Sequence, residues 1–190
     1  MAELVTLNQY KSFRGITGVT EDSKLNVIIP SVSKLIRNYC GRSFTEYYAT
    51  DKVELFTTKY AVSALFLEET PIVSVTSVEE IESSSEDAPY VTLTTSQFKI
   101  DPYFDAIYRI EGSTRQDFPC GINSVRVTYK AGYASTPEDL KLAIVDMITY
   151  YLKEEHKPEL NHATFTIRND PSKAHFPEHI KRVLDLYKNV

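Results

Sequence analysis

The sequence predicts an α+β protein: a small helical bundle of two N-terminal helices, one long helix and a short C-terminal helix, with an inserted antiparallel β region. Three observations predict it. Apolar residues recur at helical spacing over 21–39 and again over 137–155. The stretch 44–131 between them is rich in short β-branched and aromatic runs parted by turn residues. The passage Val125–Glu155 then reads as strand, turn and helix without a local conflict.

Taken in order, a first short helix spans 7–14 and ends at Gly15. The second, 21–39, has Thr20 as its expected N-cap, with Glu21 and Asp22 placing negative charge in the first turn. Leu25, Ile28, Ile29, Val32, Leu35, Ile36 and Tyr39 form its apolar stripe, and Gly41 stands at the C-terminal cap. Pro30 removes one helix hydrogen bond, so a kink is expected there. In the β region the runs Val53–Phe56, Ile72–Val75, Tyr90–Leu93 and Ala106–Ile110 are separated by Asp101-Pro102, Gly112-Ser113 and the serine-acid cluster 83–87. Val125, Val127 and Tyr129 alternate with Arg126, Thr128 and Lys130, the pattern of a strand with one buried face.

Thr136 is the expected N-cap of the long helix, Pro137 its first residue and Asp139 part of a capping box. Leu140, Ala143, Ile144, Met147, Ile148 and Tyr151 make the core stripe. A second row, Leu142, Val145 and Leu152, lies off it, and either another part of the chain or a second subunit covers it. After Lys157-Pro158 the pattern breaks into a polar arm, and a last helix, 177–187, follows. The expected domains are thus a core over 1–156, holding helices 7–14, 21–39 and 137–155 with the β region 44–131, and an arm with a docking helix over 157–190.

Composition excludes several functions. No run of about 18 apolar residues exists to span a membrane, and the N-terminus lacks the basic-then-apolar pattern of a signal peptide. Cys40 and Cys120 form no C-x-x-C pattern and are expected as buried free thiols. The charge is uneven. Residues 51–122 hold five Lys and Arg against thirteen Asp and Glu, a surface that repels phosphate. Arg126 and Lys130 share a strand face and are the only weak candidates for facing DNA. The segment His175-Phe176-Pro177-Glu178-His179 matches H-x-x-E-H, but Pro177 sits between the histidines and keeps them off one helical face. Asp101, Asp105 and Glu111 are carboxylates near turns, where such residues are common. No nucleophile elbow, phosphate loop or dinucleotide fingerprint occurs, so neither catalysis nor a cofactor or metal is expected.

Several segments together resemble the head–tail connector (adaptor) proteins of tailed phages. These are Thr20-Glu21-Asp22, opening a helix that ends in Tyr39-Cys40-Gly41-Arg42-Ser43-Phe44; the Thr70-Pro71-led strand; Val127–Tyr133 running through Ala131-Gly132-Tyr133 into Pro137–Lys141; and Phe176-Pro177 before the last helix. The resemblance implies a homo-oligomeric ring, usually of twelve, that lies below the portal protein in the virion neck. Such a ring extends the channel for genomic DNA, which passes without sequence-specific binding, and bridges to a stopper or tail-completion protein. A tail-completion or stopper protein is the alternative within the same class. On this reading Leu142, Val145 and Leu152 are the candidate subunit interface, and Phe165, Ile167, Phe176, Ile180 and Leu184 the candidate portal-docking residues.

Overall fold

The computed structural model describes residues 3–82, 89–153, 159–161, 166–168 and 176–188. It is α+β, with four helices and antiparallel sheets. The chain divides into two compact units: residues 1–42 with 135–190, and residues 43–134.

The first unit holds the helices α1 (Leu7–Arg14), α2 (Asp22–Cys40), α3 (Glu138–Leu152) and α4 (Glu178–Leu186). Thr6 and Gln9 close a capping box on α1. At α2 the expected hydroxyl cap is not used. Glu21, already helical in its backbone, occupies the cap position without a side-chain bond. The helix entry is tied instead by Asp22, whose carboxylate takes Lys11 Nζ of α1 at 2.8 Å. α2 runs through Pro30 without interruption, with the proline on the exposed face. The buried side is Leu25, Ile29, Val32, Ser33, Ile36, Arg37 and Cys40, while Ile28, Leu35 and Tyr39 are half-buried at its margin.

α3 also starts differently from its sequence signal. Pro137 is the cap residue, and no side chain caps the helix. The Thr136 hydroxyl is spent elsewhere, donating to the Leu4 carbonyl at 2.7 Å in a buried contact. Asp139 accepts from the Tyr187 hydroxyl at 2.7 Å rather than completing a capping box. α4 is docked on its own unit. Ile180 and Leu184 are fully buried, Tyr39 donates to Asp185 at 2.6 Å, and the Phe176 ring meets Tyr39 edge-on. Burial of those two aliphatic side chains contributes about 1.5–3 kcal/mol each.

The second unit is built on strand β8 (Gly121–Ala131), which pairs with β1 (Lys52–Thr58) on one side and β3 (Ile72–Ile81) on the other; β4 (Tyr90–Thr92) extends the sheet beyond β3. A second sheet has the order β2 (Ala64–Phe66), β6 (Ala106–Glu111), β5 (Phe98–Asp101), with β7 (Thr114–Arg115) also pairing β6. Val125, Val127 and Tyr129 are fully buried in a core shared with Leu65, Leu67, Val78, Ile107 and Phe118. The short strands β2, β5 and β7 carry no alternation long enough to be read from sequence. In the C-terminal part β9 (Glu159–Asn161) pairs with β10 (Thr166–Arg168), a hairpin the polar composition did not announce.

Three of the distinctive fragments meet in this unit. The Gly132 amide donates to the Pro71 carbonyl at 2.9 Å, and the Tyr133 amide donates to the Phe44 carbonyl at 2.7 Å. Gly132 has φ +96°, and a Cβ there would lie 2.3 Å from the Phe44 oxygen. Only glycine satisfies both the backbone angle and the space. Nearby, Tyr129 donates to Glu54 at 2.6 Å and accepts from the Glu69 amide at 3.1 Å, while buried Glu69 takes the Ser43 amide on both oxygens.

Gly132→Ala is expected to lower unfolding free energy by more than about 1 kcal/mol, read as a lower urea midpoint in the purified chain. A second expectation concerns Glu69, whose carboxyl is raised above the ordinary 4.5, chiefly by burial. The folded chain therefore holds this proton to higher pH than the unfolded chain. Its contribution is complete below 4.5 and is lost as pH rises through the folded value. Urea titrations of Glu69→Gln beside the wild type should show the variant gaining in relative stability across that window; a pH-independent difference would count against the assignment.

Candidate assembly surfaces

The off-stripe row of α3 does not behave as one surface. Val145 is 2% exposed, because the N-terminal segment and α1 cover that flank: Tyr10 bonds Thr149 at 3.1 Å and Arg14 pairs with Asp146 at 2.8 Å. Leu152 is half-buried, and Leu142 is 48% exposed. Val145 thus belongs to the core of its own chain, and Leu142 is the member left open to solvent.

Leu142 stands beside Phe13 of α1, which is 58% exposed. The two border a hollow of about 440 Å³, with Val5 and Val145 among its apolar lining and Ser12 and Lys141 among its polar lining. Nothing in the spacing of α1 marked Phe13, because an eight-residue helix shows too few turns to separate a stray aromatic from a core position.

In the second unit most exposed apolar residues lie at turns and on edge strands, while Ile122 near the start of β8 and Val73 near the start of β3 are exposed at the ends of interior strands. The clearest are Tyr103 and Phe104, in the β5–β6 turn, exposed to 84% and 59%. Their rings meet edge-on at 4.8 Å. Asp101 accepts the Tyr103 amide at 2.9 Å and the Phe104 amide at 3.4 Å, and Asp105 accepts the Ile72 amide at 3.1 Å. Glu111 takes the Gln116 side chain at 3.3 Å. The three carboxylates considered for chemistry thus hold turns and side chains. A Tyr-Phe pair directly after Asp-Pro was the available signal for this exposed turn. On the edge strand β1, Val53 and Leu55 are exposed as well.

The expected docking residues divide. Ile180 and Leu184 are in the core, and Phe176 is half-buried against Tyr39. They cannot anchor a partner while α4 stays seated. Ile167 lies in β10, and Phe165 falls outside the described residues. The outward-facing apolar residue of α4 is Leu186, at 78%.

Arg126 is engaged within its own sheet. Its guanidinium pairs with Glu79, lowering that carboxyl below the ordinary range through their hydrogen bond, and lies 4.3 Å from the centre of the Tyr90 ring. Lys130 is half-buried on the same strand. Charge differs between the units: 14 Lys and Arg against 12 Asp and Glu in the first, 7 against 14 in the second.

Of the H-x-x-E-H segment, His175 lies outside the described residues, Glu178 is in the first turn of α4, and exposed His179 sits 3.8 Å from Asp146. Among the described residues no group of three His, Cys, Asp or Glu is placed to hold a metal ion. Cys40 is buried, its thiol pushed up to about 11, first by burial. Cys120 is exposed, contrary to expectation, because it precedes β8 in a loop rather than facing the core. Among the described residues no helix is long and apolar enough to cross a membrane.

The fold is similar to that of solved particle-neck proteins. One, from the neck of an empty GTA particle with C6 symmetry, aligns at TM-score 0.60 with 14% identity, covering 98% of this chain and 90% of that one. A chain from the neck of a native GTA particle with C12 symmetry aligns at 0.59 with 13% identity over the same shares. A chain from the virion of the native gene transfer agent particle aligns at 0.56 with 16% identity, covering 100% and 95%. The fold is therefore one shared with chains of gene transfer agent particles. The particular family follows from sequence: the family model for head completion protein matches residues 3–190, and the chain belongs to that family. It is also 24% identical over 188 residues to the head completion protein of Escherichia phage T5, covering 99% of each. The chain is thus a phage structural protein of the head completion family.

The surface assignments give a direct contrast. Val145→Ala should cost about 2 kcal/mol of stability, two buried methylene equivalents, whereas Leu142→Ser should stay within about 0.5 kcal/mol. Thermal unfolding of both variants followed by circular dichroism checks this.

Proposed function

We propose that the chain is a non-enzymatic subunit of a homo-oligomeric ring, of twelve copies, that seats below the portal protein and continues the DNA channel toward a stopper or tail-completion protein. The observation that carries this reading is the match of the head completion family over residues 3–190. The C6 and C12 symmetries of the necks that hold two of its fold relatives support a ring. In this reading the four helices form the compact bundle of the subunit, and the C-terminal arm and helix over 157–190 meet the portal, with Leu186 the outward apolar residue of α4.

The acidic second unit suits a structure past which DNA must move. A protein that neutralises phosphates gains affinity for DNA through counterion release, whereas a net of −7 opposes it. With Arg126 tied to Glu79, Lys130 is the cation left on that strand face to meet a passing phosphate. The family's description as head completion supports a position on the head side and so favours a connector over a tail-completion protein.

The chain mixed with portal-bearing heads of its own phage should co-sediment in a stoichiometry matching the neck symmetry. Native mass measurement of the detached neck should then give a ring of one chain type. A chain that remains monomeric and unbound in both settings would remove the connector reading.

A further inference from the structure

Resting on the ring reading, we propose that the contact between neighbouring subunits is made by the Tyr103–Phe104 turn of one copy seated in the Phe13–Leu142 hollow of the next. A closed ring of identical subunits requires heterologous contacts, in which two different patches of one chain complement each other. The described residues offer both kinds. The hollow is concave, about 440 Å³, with Val5 and Val145 in its lining and Phe13 and Leu142 beside it. That volume lies in the range of clefts that enclose a ligand-sized body, and two aromatic side chains make such a body.

The turn is convex and held in place before binding. Its two rings pack edge-on, and Asp101 fixes the backbone from which they project. An ordered aromatic anchor loses little conformational freedom on docking, and paired aromatics are typical of the energetic centre of an interface. Charge points to the same occupant. The hollow's own charges, Lys141 and Glu138, pair with each other at 2.7 Å, so the complementarity is one of units: the hollow's unit has a net of +2, the turn's unit −7, and a second copy of this chain brings the opposite overall sign. Two rings alone bury about 300–500 Å², less than the roughly 800 Å² per partner of a standard interface. They serve as the centre of a larger contact.

The test uses full-length chain carrying Cys120→Ser, assembled on portal-bearing heads. Tyr103→Cys with Leu142→Cys should give, under mild oxidation, a ladder of cross-linked oligomers on a non-reducing gel; Ile122→Cys with Leu142→Cys should not. Separately, Phe104→Ala with Leu142→Ala should weaken self-association about tenfold or more while leaving the thermal midpoint of the isolated chain in place, since both side chains are exposed. Rings that form at wild-type strength in the double alanine variant, without the cross-link, overturn this contact and leave the ring intact. Labelling of a Leu142→Cys thiol that is blocked by the heads with no chain-to-chain cross-link assigns the hollow to another protein and likewise overturns it. If the wild-type chain forms no ring at all, the contact falls together with the ring reading.

Discussion

Gly132 and Phe44 approach so closely that the backbone of one occupies the space where the other would meet a side chain. Around this approach the second unit is assembled. The Gly132 amide fastens the end of β8 to Pro71 at the start of β3, and the Tyr133 amide fastens the same point to Phe44, which itself adopts φ +72°. β8 leaves this junction paired on both sides, and its inward residues organise the core shared by two sheets. A shift of one residue along β8 would turn Val125, Val127 and Tyr129 outward. The junction opposes such a slip, because it fixes where the strand ends.

The first unit achieves order differently. Its helices lack strong side-chain caps at α2, α3 and α4, and tertiary bonds supply the definition instead. Thr136 reaches Leu4, Tyr39 reaches Asp185, and Tyr187 reaches Asp139. Each bond joins segments far apart in sequence, so the chain between residues 42 and 135 can hold a complete β unit without loosening the helices. This arrangement satisfies α4 within its own chain and turns attention for assembly to Phe13, Leu142 and the aromatic turn.

The charged groups tell a consistent story about function. Arg126, Arg109 and Lys52 are paired with Glu79, Glu80 and Glu68, and the carboxylates near turns hold backbone amides. These groups stabilise structure, and Asp101, Asp105 and Glu111 hold backbone amides and a side chain. The described surface also carries exposed aromatic area, and the two units differ in net charge.

The sequence by itself determined the class of fold, the order of the four helices, the caps at Gly15 and Gly41, and the inward face of β8, because these rest on periodicity and on residues with special backbone freedom. It also led to the right family through fragments whose reason was invisible until they were seen to meet at Gly132. The tertiary structure alone decided which apolar residues are core and which are surface. Val145, Ile180 and Leu184 carry the same periodic signal whether a neighbouring helix or a second protein covers them, and only packing shows the neighbour. It decided too that the Thr20 and Thr136 hydroxyls do not cap: α2 starts one residue later than its signal, with Glu21 at the cap position, and the Thr136 hydroxyl goes to the distant Leu4 carbonyl, which nothing local records.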